Sequence, residues 1–133
     1  MIARIRAQLP SLLASWPGIE LVYLFGSHAA GATHPESDVD LAVLSRHPIG
    51  AMARFELAQA LAGRLGREVD LVDLSSASTV LRKEVVAHGR LLHASAPRAR
   101  ADFEWRALAD YARLNEERRP ILERVAREGR VHD

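Results

Sequence analysis

Two short apolar runs, "IELVYLF" (residues 19–25) and "DVDLAVLS" (residues 38–45), are joined by "GSHAAGATHPES" (residues 26–37), a stretch of small and polar residues. Both runs are too short for ordinary helices, are rich in branched side chains and are bounded by turn-forming residues, which predicts two strands. In the second, Asp38 and Asp40 alternate with Val39, Leu41 and Val43. Side chains alternate faces along a strand, so the two carboxylates share one face and lie roughly 6.5–7 Å apart along the backbone. Alternation alone fits either a water-facing strand or a paired-carboxylate site.

The remaining pattern surrounds these strands with helices. Ile2, Ile5, Leu9, Leu12 and Leu13 recur at helical spacing between Ile2 and Trp16, and Pro17-Gly18 ends the run. Gly50 to Gly66 carries Met52, Phe55, Leu57, Ala58, Leu61 and Leu65 on a helical pattern, with Gly66 as its C-terminal cap. "REVDLVDL" (residues 67–74) predicts a third strand bearing Asp70 and Asp73. These two acids are an odd number of residues apart and point to opposite faces, so at most one joins the face of Asp38 and Asp40. A serine-rich turn leads to the helix "TVLRKEVVAHG", and "RLLHA" reads as a short last strand.

A long helical segment then runs from about Ala99 to Gly129, with Pro120 expected to kink or restart it. Its acids and bases nearly cancel, as on a solvated face laced with ion pairs. Phe103, Trp105, Leu108, Tyr111 and Leu114 form too wide an apolar set for a fully exposed helix, and are expected to cover the core or a partner. Strands interleaved with helices place the chain in the α/β (α+β) class, with a small mixed sheet flanked by helices. Residues 1–98 form the main unit, and residues 99–133 form a helical extension of it that could dock a partner.

Composition narrows the chemistry. The chain has 133 residues, 48% hydrophobic and 26% charged, as in one soluble globular domain. The absence of cysteine excludes disulfides, thiolate metal sites and a cysteine nucleophile. A net charge of +1 gives no large basic footprint for nucleic acid. The N-terminus lacks the continuous apolar core of a signal peptide, and no segment approaches the roughly 18 apolar residues of a membrane span. A cytoplasmic location is expected.

Gly-Ser after a strand, a polar loop and Asp-x-Asp on the next strand are the parts that nucleotidyl transfer needs. Adjacent carboxylates bind Mg²⁺, which takes oxygen ligands and keeps waters and substrate phosphates as the rest of its shell. Two such ions about 3.5–4 Å apart can activate an attacking oxygen and stabilise the leaving one. Glycine lets the backbone approach a triphosphate, and a serine at a helix N-terminus can bind its anionic oxygens.

Gly26-Ser27, ten intervening residues and then Asp38-Val39-Asp40 resemble the signature of the polymerase-β-like nucleotidyltransferases. Gly31, Ser37 and Leu41 extend the match, which continues through "EVDLVDL" and "LRKEVVAHGRLLH" and so spans roughly residues 19–93. Within that superfamily the short chain is similar to the minimal nucleotidyltransferase (MNT) antitoxins paired with HEPN toxins. The resemblance implies that fold, with Gly26 and Ser27 on the β- and γ-phosphates of ATP and Ser37 also at the nucleotide. It implies that Asp38 and Asp40 ligate Mg²⁺, with a pair of ions expected. The family's third carboxylate, a metal ligand or base, matches Asp70 better than Asp73, which reads as a turn residue. His28 stands where relatives often carry arginine, and a neutral imidazole offers phosphate fewer hydrogen bonds.

What the resemblance implies for function is transfer of AMP from ATP to a tyrosine hydroxyl of a HEPN ribonuclease, within a hetero-oligomeric complex, without membrane or direct nucleic-acid binding. The alternatives are an antitoxin acting by contact alone and a nucleotidyltransferase with a small-molecule acceptor.

Overall fold

The computed structural model describes residues 1–26 and 38–132. Its elements are α1 (Ile2–Ser15), β1 (Ile19–Phe25), β2 (Val39–Ser45), α2 (Ala51–Leu65), β3 (Val69–Asp73), α3 (Thr79–His88), β4 (Arg90–Ala94) and α4 (Pro97–His132). The four strands form one sheet in the order β3-β2-β1-β4. β1 pairs antiparallel with both β2 and β4, whereas β2 and β3 run parallel. A parallel neighbour needs a crossover, and α2 supplies it.

Alternation along the strands divides the core in two. Val22, Leu24, Val39, Leu41, Val43 and Leu71 pack with α1 and α2 through Ile5, Leu12, Leu61 and Leu65. Leu21, Tyr23, Ala42 and Leu74 face the other way and pack with Val85 of α3 and Phe103 of α4. Because both faces are covered, β1 is almost continuously apolar, and β2 carries polar side chains only at Asp40 near its start and Ser45 at its end.

Local chemistry sets the element ends. Gly66 caps α2 in the left-handed conformation (φ +66°), its N–H donating to the Ala62 carbonyl. Ser78 caps α3, its hydroxyl accepting from the Leu81 N–H at 3.1 Å. α4 runs unbroken through Pro120, so the helix does not restart there. Proline removes the bond to the carbonyl four residues back, that of Glu116, and both residues lie on the exposed surface where water replaces it.

The first half of α4 is anchored. Tyr23, buried on β1, donates from its hydroxyl to Glu104 Oε1 at 2.9 Å, and the same oxygen accepts from Arg100 Nε at 2.9 Å. Phe103 packs against Tyr23 with ring centroids 6.2 Å apart, and Lys83 of α3 sits 5.0 Å from the centre of the Tyr111 ring. The second half of α4 carries i,i+3 and i,i+4 ion pairs such as Arg119–Glu116 and Arg124–Glu128, the laced face that the charge pattern predicts. Among the described residues no helix is long and apolar enough to cross a membrane.

Candidate active site

The strand directions bring the end of β1 beside the beginnings of β2 and β3. In register, Phe25 pairs with Asp40 and Asp40 pairs with Asp70. Paired residues on neighbouring strands share a face, so Phe25, Asp40 and Asp70 form one row across the sheet, on the side covered by α3 and α4. Neighbouring strands lie about 4.8 Å apart, which sets Asp40 and Asp70 side by side in the sheet. Asp38 precedes β2 by one residue and is exposed, Asp40 is half-buried and Asp70 is exposed. The β2–β3 register is held by the Val39 N–H donating to the Glu68 carbonyl at 2.9 Å and the Leu74 N–H donating to the Val43 carbonyl at 2.8 Å.

Gly26 closes the row at β1. Its φ is +74°, in the left-handed region that favours glycine, and a Cβ there would stand 2.5 Å from Asp40 Oδ2. The glycine therefore has a second reason to be glycine: the Asp40 carboxylate lies against its bare backbone. Ser27, His28, Gly31 and Ser37, the other positions of the loop motif, lie outside the described residues.

Asp73 occupies the opposite face, 4% exposed, and its carboxylate is consumed by local structure. Oδ1 accepts from the Ser75 N–H at 2.9 Å and from the Ser75 hydroxyl at 2.7 Å, and Oδ2 accepts from the Ile49 N–H at 3.3 Å. These bonds tie the β3–α3 turn to the segment before α2. A carboxylate so engaged has little capacity left for a metal. One residue that the sequence did not single out also lines a small cavity along β3: Arg54 of α2, together with Asp70, Asp73, Ser76 and Ala77. Its position in an amphipathic helix carries no signal of this, because the meeting depends on the α2 crossover.

The donor set suits Mg²⁺. Asp38, Asp40 and Asp70 offer only carboxylate oxygens, with no sulfur or imidazole among them, and the bare backbone of Gly26 makes room for the Asp40 carboxylate. Among the described residues no three acidic or imidazole side chains converge closely enough to hold a metal ion by themselves. Mg²⁺ is ordinarily held by one or two carboxylates plus substrate phosphates and waters, so a side-by-side pair fits it better than a cage does.

Known proteins resemble this arrangement over most of the chain. A curated relative, protein adenylyltransferase MntA of Shewanella oneidensis, is 43% identical over 109 residues, covering 82% of this chain and 78% of its own. A crystal structure of a toxin–antitoxin with AMP-PNP contains a chain that is 40% identical, with a TM-score of 0.82 over 91% of this chain and 98% of its own. A structure of tri-AMPylated Shewanella oneidensis HEPN toxin in complex with MNT antitoxin matches at 37% identity, with a TM-score of 0.79 over 95% of this chain and 99% of the matched one. The family model for polymerase beta nucleotidyltransferases matches residues 7–98, a span that contains the whole sheet and the row from Gly26 to Asp70. With sheet, register and family model in agreement, the chain belongs to the polymerase-β nucleotidyltransferase family.

Proposed function

We propose that this chain is a Mg²⁺-dependent protein adenylyltransferase that moves AMP from ATP to a tyrosine hydroxyl of a partner HEPN ribonuclease, acting as its antitoxin in the cytoplasm. The observation that carries the reading is the lateral row of Asp40 and Asp70 closed by Gly26. The 43% identity to a protein adenylyltransferase supports the acceptor class, and the likeness to a toxin–antitoxin structure with AMP-PNP supports the nucleotide.

In this reading Asp38, Asp40 and Asp70 hold the metal, and Gly26, Ser27, His28 and Ser37 receive the triphosphate. A pair of Mg²⁺ ions at this site would neutralise phosphate charge and acidify the acceptor hydroxyl. Asp70, exposed at the end of the row, takes the tyrosine proton. The phenolic oxygen forms a bond to the α-phosphorus while the bond from that phosphorus to the β-bridging oxygen breaks. AMP remains as a tyrosyl ester, and pyrophosphate leaves with the electron pair.

Intact-mass measurement tests this after incubation with ATP, Mg²⁺ and the cognate HEPN protein. The toxin should gain adenylyl mass, and Asp38→Asn/Asp40→Asn should abolish the gain. Asp70→Asn should slow transfer by about 10²–10⁴-fold, the range for a lost general base. Asp73→Asn should lower Tm and leave transfer intact. No mass gain with the wild-type protein, or an undiminished gain with the double variant, rejects the reading.

Silencing by contact alone has one observation in its favour. The distal half of α4 exposes Ile121, Leu122 and Val125, each more than half accessible. A double variant that still neutralises the toxin without modifying it would establish that mode.

A further inference from the structure

β3 is an edge strand, and its free side opens onto a groove of about 800 Å³. One wall is a stripe of α2 in which Arg54, Phe55, Ala58 and Ala62 recur at helical spacing, and the other is the segment from Gly66 to Leu71, which includes the charged residues Arg67, Glu68 and Asp70. Ala58 and Ala62 are small and form the floor, while Phe55, 60% exposed, stands at the rim. An exposed phenylalanine beside an open strand edge is the kind of feature that native proteins usually cover or charge.

The hydrogen-bond parity of the edge is readable. Bonds to β2 are made from Glu68 and Leu74, both even-numbered, and a parallel ladder uses alternate residues. Val69 and Leu71 therefore turn their N–H and C=O groups outward along the groove. Asp70 sits between them and also lines the groove, with its side chain in the row of Asp40.

We propose that this groove seats an extended segment of the acceptor protein, added to the sheet as a fifth strand against β3. The inference rests on the adenylyltransferase reading above, and names the surface by which that site takes its acceptor. Continuity with Asp70 selects the occupant. A residue pairing with Asp70 across the new ladder falls in the same row as Asp40 and Asp70, one strand spacing (about 4.8 Å) further out. Its side chain emerges on the face that carries the carboxylates, so strand addition delivers an acceptor hydroxyl to the reacting end of the sheet. Main-chain bonds to Val69 and Leu71 supply affinity that is indifferent to sequence, and Phe55 with Arg54 supplies selectivity for the side chains that pass over the alanine floor.

The test compares Phe55→Ser and the groove-filling Ala62→Trp with the full-length wild-type protein. Affinity for the HEPN protein is measured directly by calorimetry, and transfer is followed against both substrates. Each variant should weaken HEPN binding about tenfold or more, as loss of an interface anchor does. KM for the acceptor should rise in parallel, KM for ATP should stay within about twofold, and Tm should stay near wild type for Phe55→Ser because that side chain is already exposed. Unchanged HEPN affinity in both variants overturns the proposal, as does a wild-type protein that binds no HEPN protein. A homodimer dissociated by Phe55→Ser with acceptor binding intact also overturns it, since the groove would then seat a second copy. If HEPN affinity falls in both variants but the wild type transfers no AMP, the docking surface stands and the adenylyltransferase reading fails.

Discussion

Two aspartates three residues apart on β3 have unlike fates because side chains alternate along a strand. Asp70 falls on the face of Asp40 and stays exposed, whereas Asp73 is buried and fastens a turn through Ser75 and Ile49. The parity was legible in "VDLVD", but the pairing of Asp70 with Asp40 needs the register. Gly26 is the other position where a single side chain decides the site. Gly26→Ala adds a Cβ 2.5 Å from Asp40 Oδ2 and imposes a side chain on a φ of +74°. The backbone conformation alone costs about 1 kcal/mol or more, which a modest fall in Tm should register. The displaced carboxylate should cost about 10²-fold in AMP transfer, as misplacement of a reacting group by about 1 Å can. A full transfer rate in this variant would remove the close approach from the argument.

Among the elements, the joint between α4 and the sheet is the least expected from pattern alone. Its apolar set was expected to cover core or partner. Phe103 does pack on the core, but Trp105 remains 73% exposed and Leu108 47% exposed. The joint is instead completed by polar groups, Tyr23 to Glu104 to Arg100. Burial first, and then the hydrogen bond and negative charge of Glu104, hold the Tyr23 hydroxyl well above the usual tyrosine range near 10. For a group whose folded pKa is raised, the stabilisation is fully present below the unfolded value and is lost as pH rises through the folded one. Tyr23→Phe should therefore lower stability by about 1 kcal/mol at neutral pH. Chemical denaturation across pH should find that difference constant from pH 7 to 9 and shrinking only in strong alkali. A difference already gone by pH 9 contradicts the assignment.

For the whole molecule, the division of α4 matters most. Its first half is packed through Ala99, Phe103 and Ala107, while beyond Asn115 the described side chains are exposed. Truncation after Asn115 should leave a folded domain, with Tm lowered by less than the roughly 4 °C that 1 kcal/mol produces in a domain of this size. Affinity for the HEPN protein should fall if the exposed Ile121, Leu122 and Val125 reach the partner, and calorimetry on the truncated and intact proteins separates the two effects. A collapse of Tm would place the distal half within the cooperative unit.

Periodicity sufficed for nearly every element, because strands of period two and helices of period 3.6 leave their marks within a few residues. It also sufficed for the shared face of Asp38 and Asp40, which is a local property of one strand. Adjacency across strands is not local. That Asp40 stands beside Asp70, that Gly26 lies against the Asp40 carboxylate, and that Arg54 and Phe55 border the open edge of β3 all follow from strand order, register and the α2 crossover. These are set by how two apolar faces are buried at once, and burial on that range joins residues that no short stretch of chain places together.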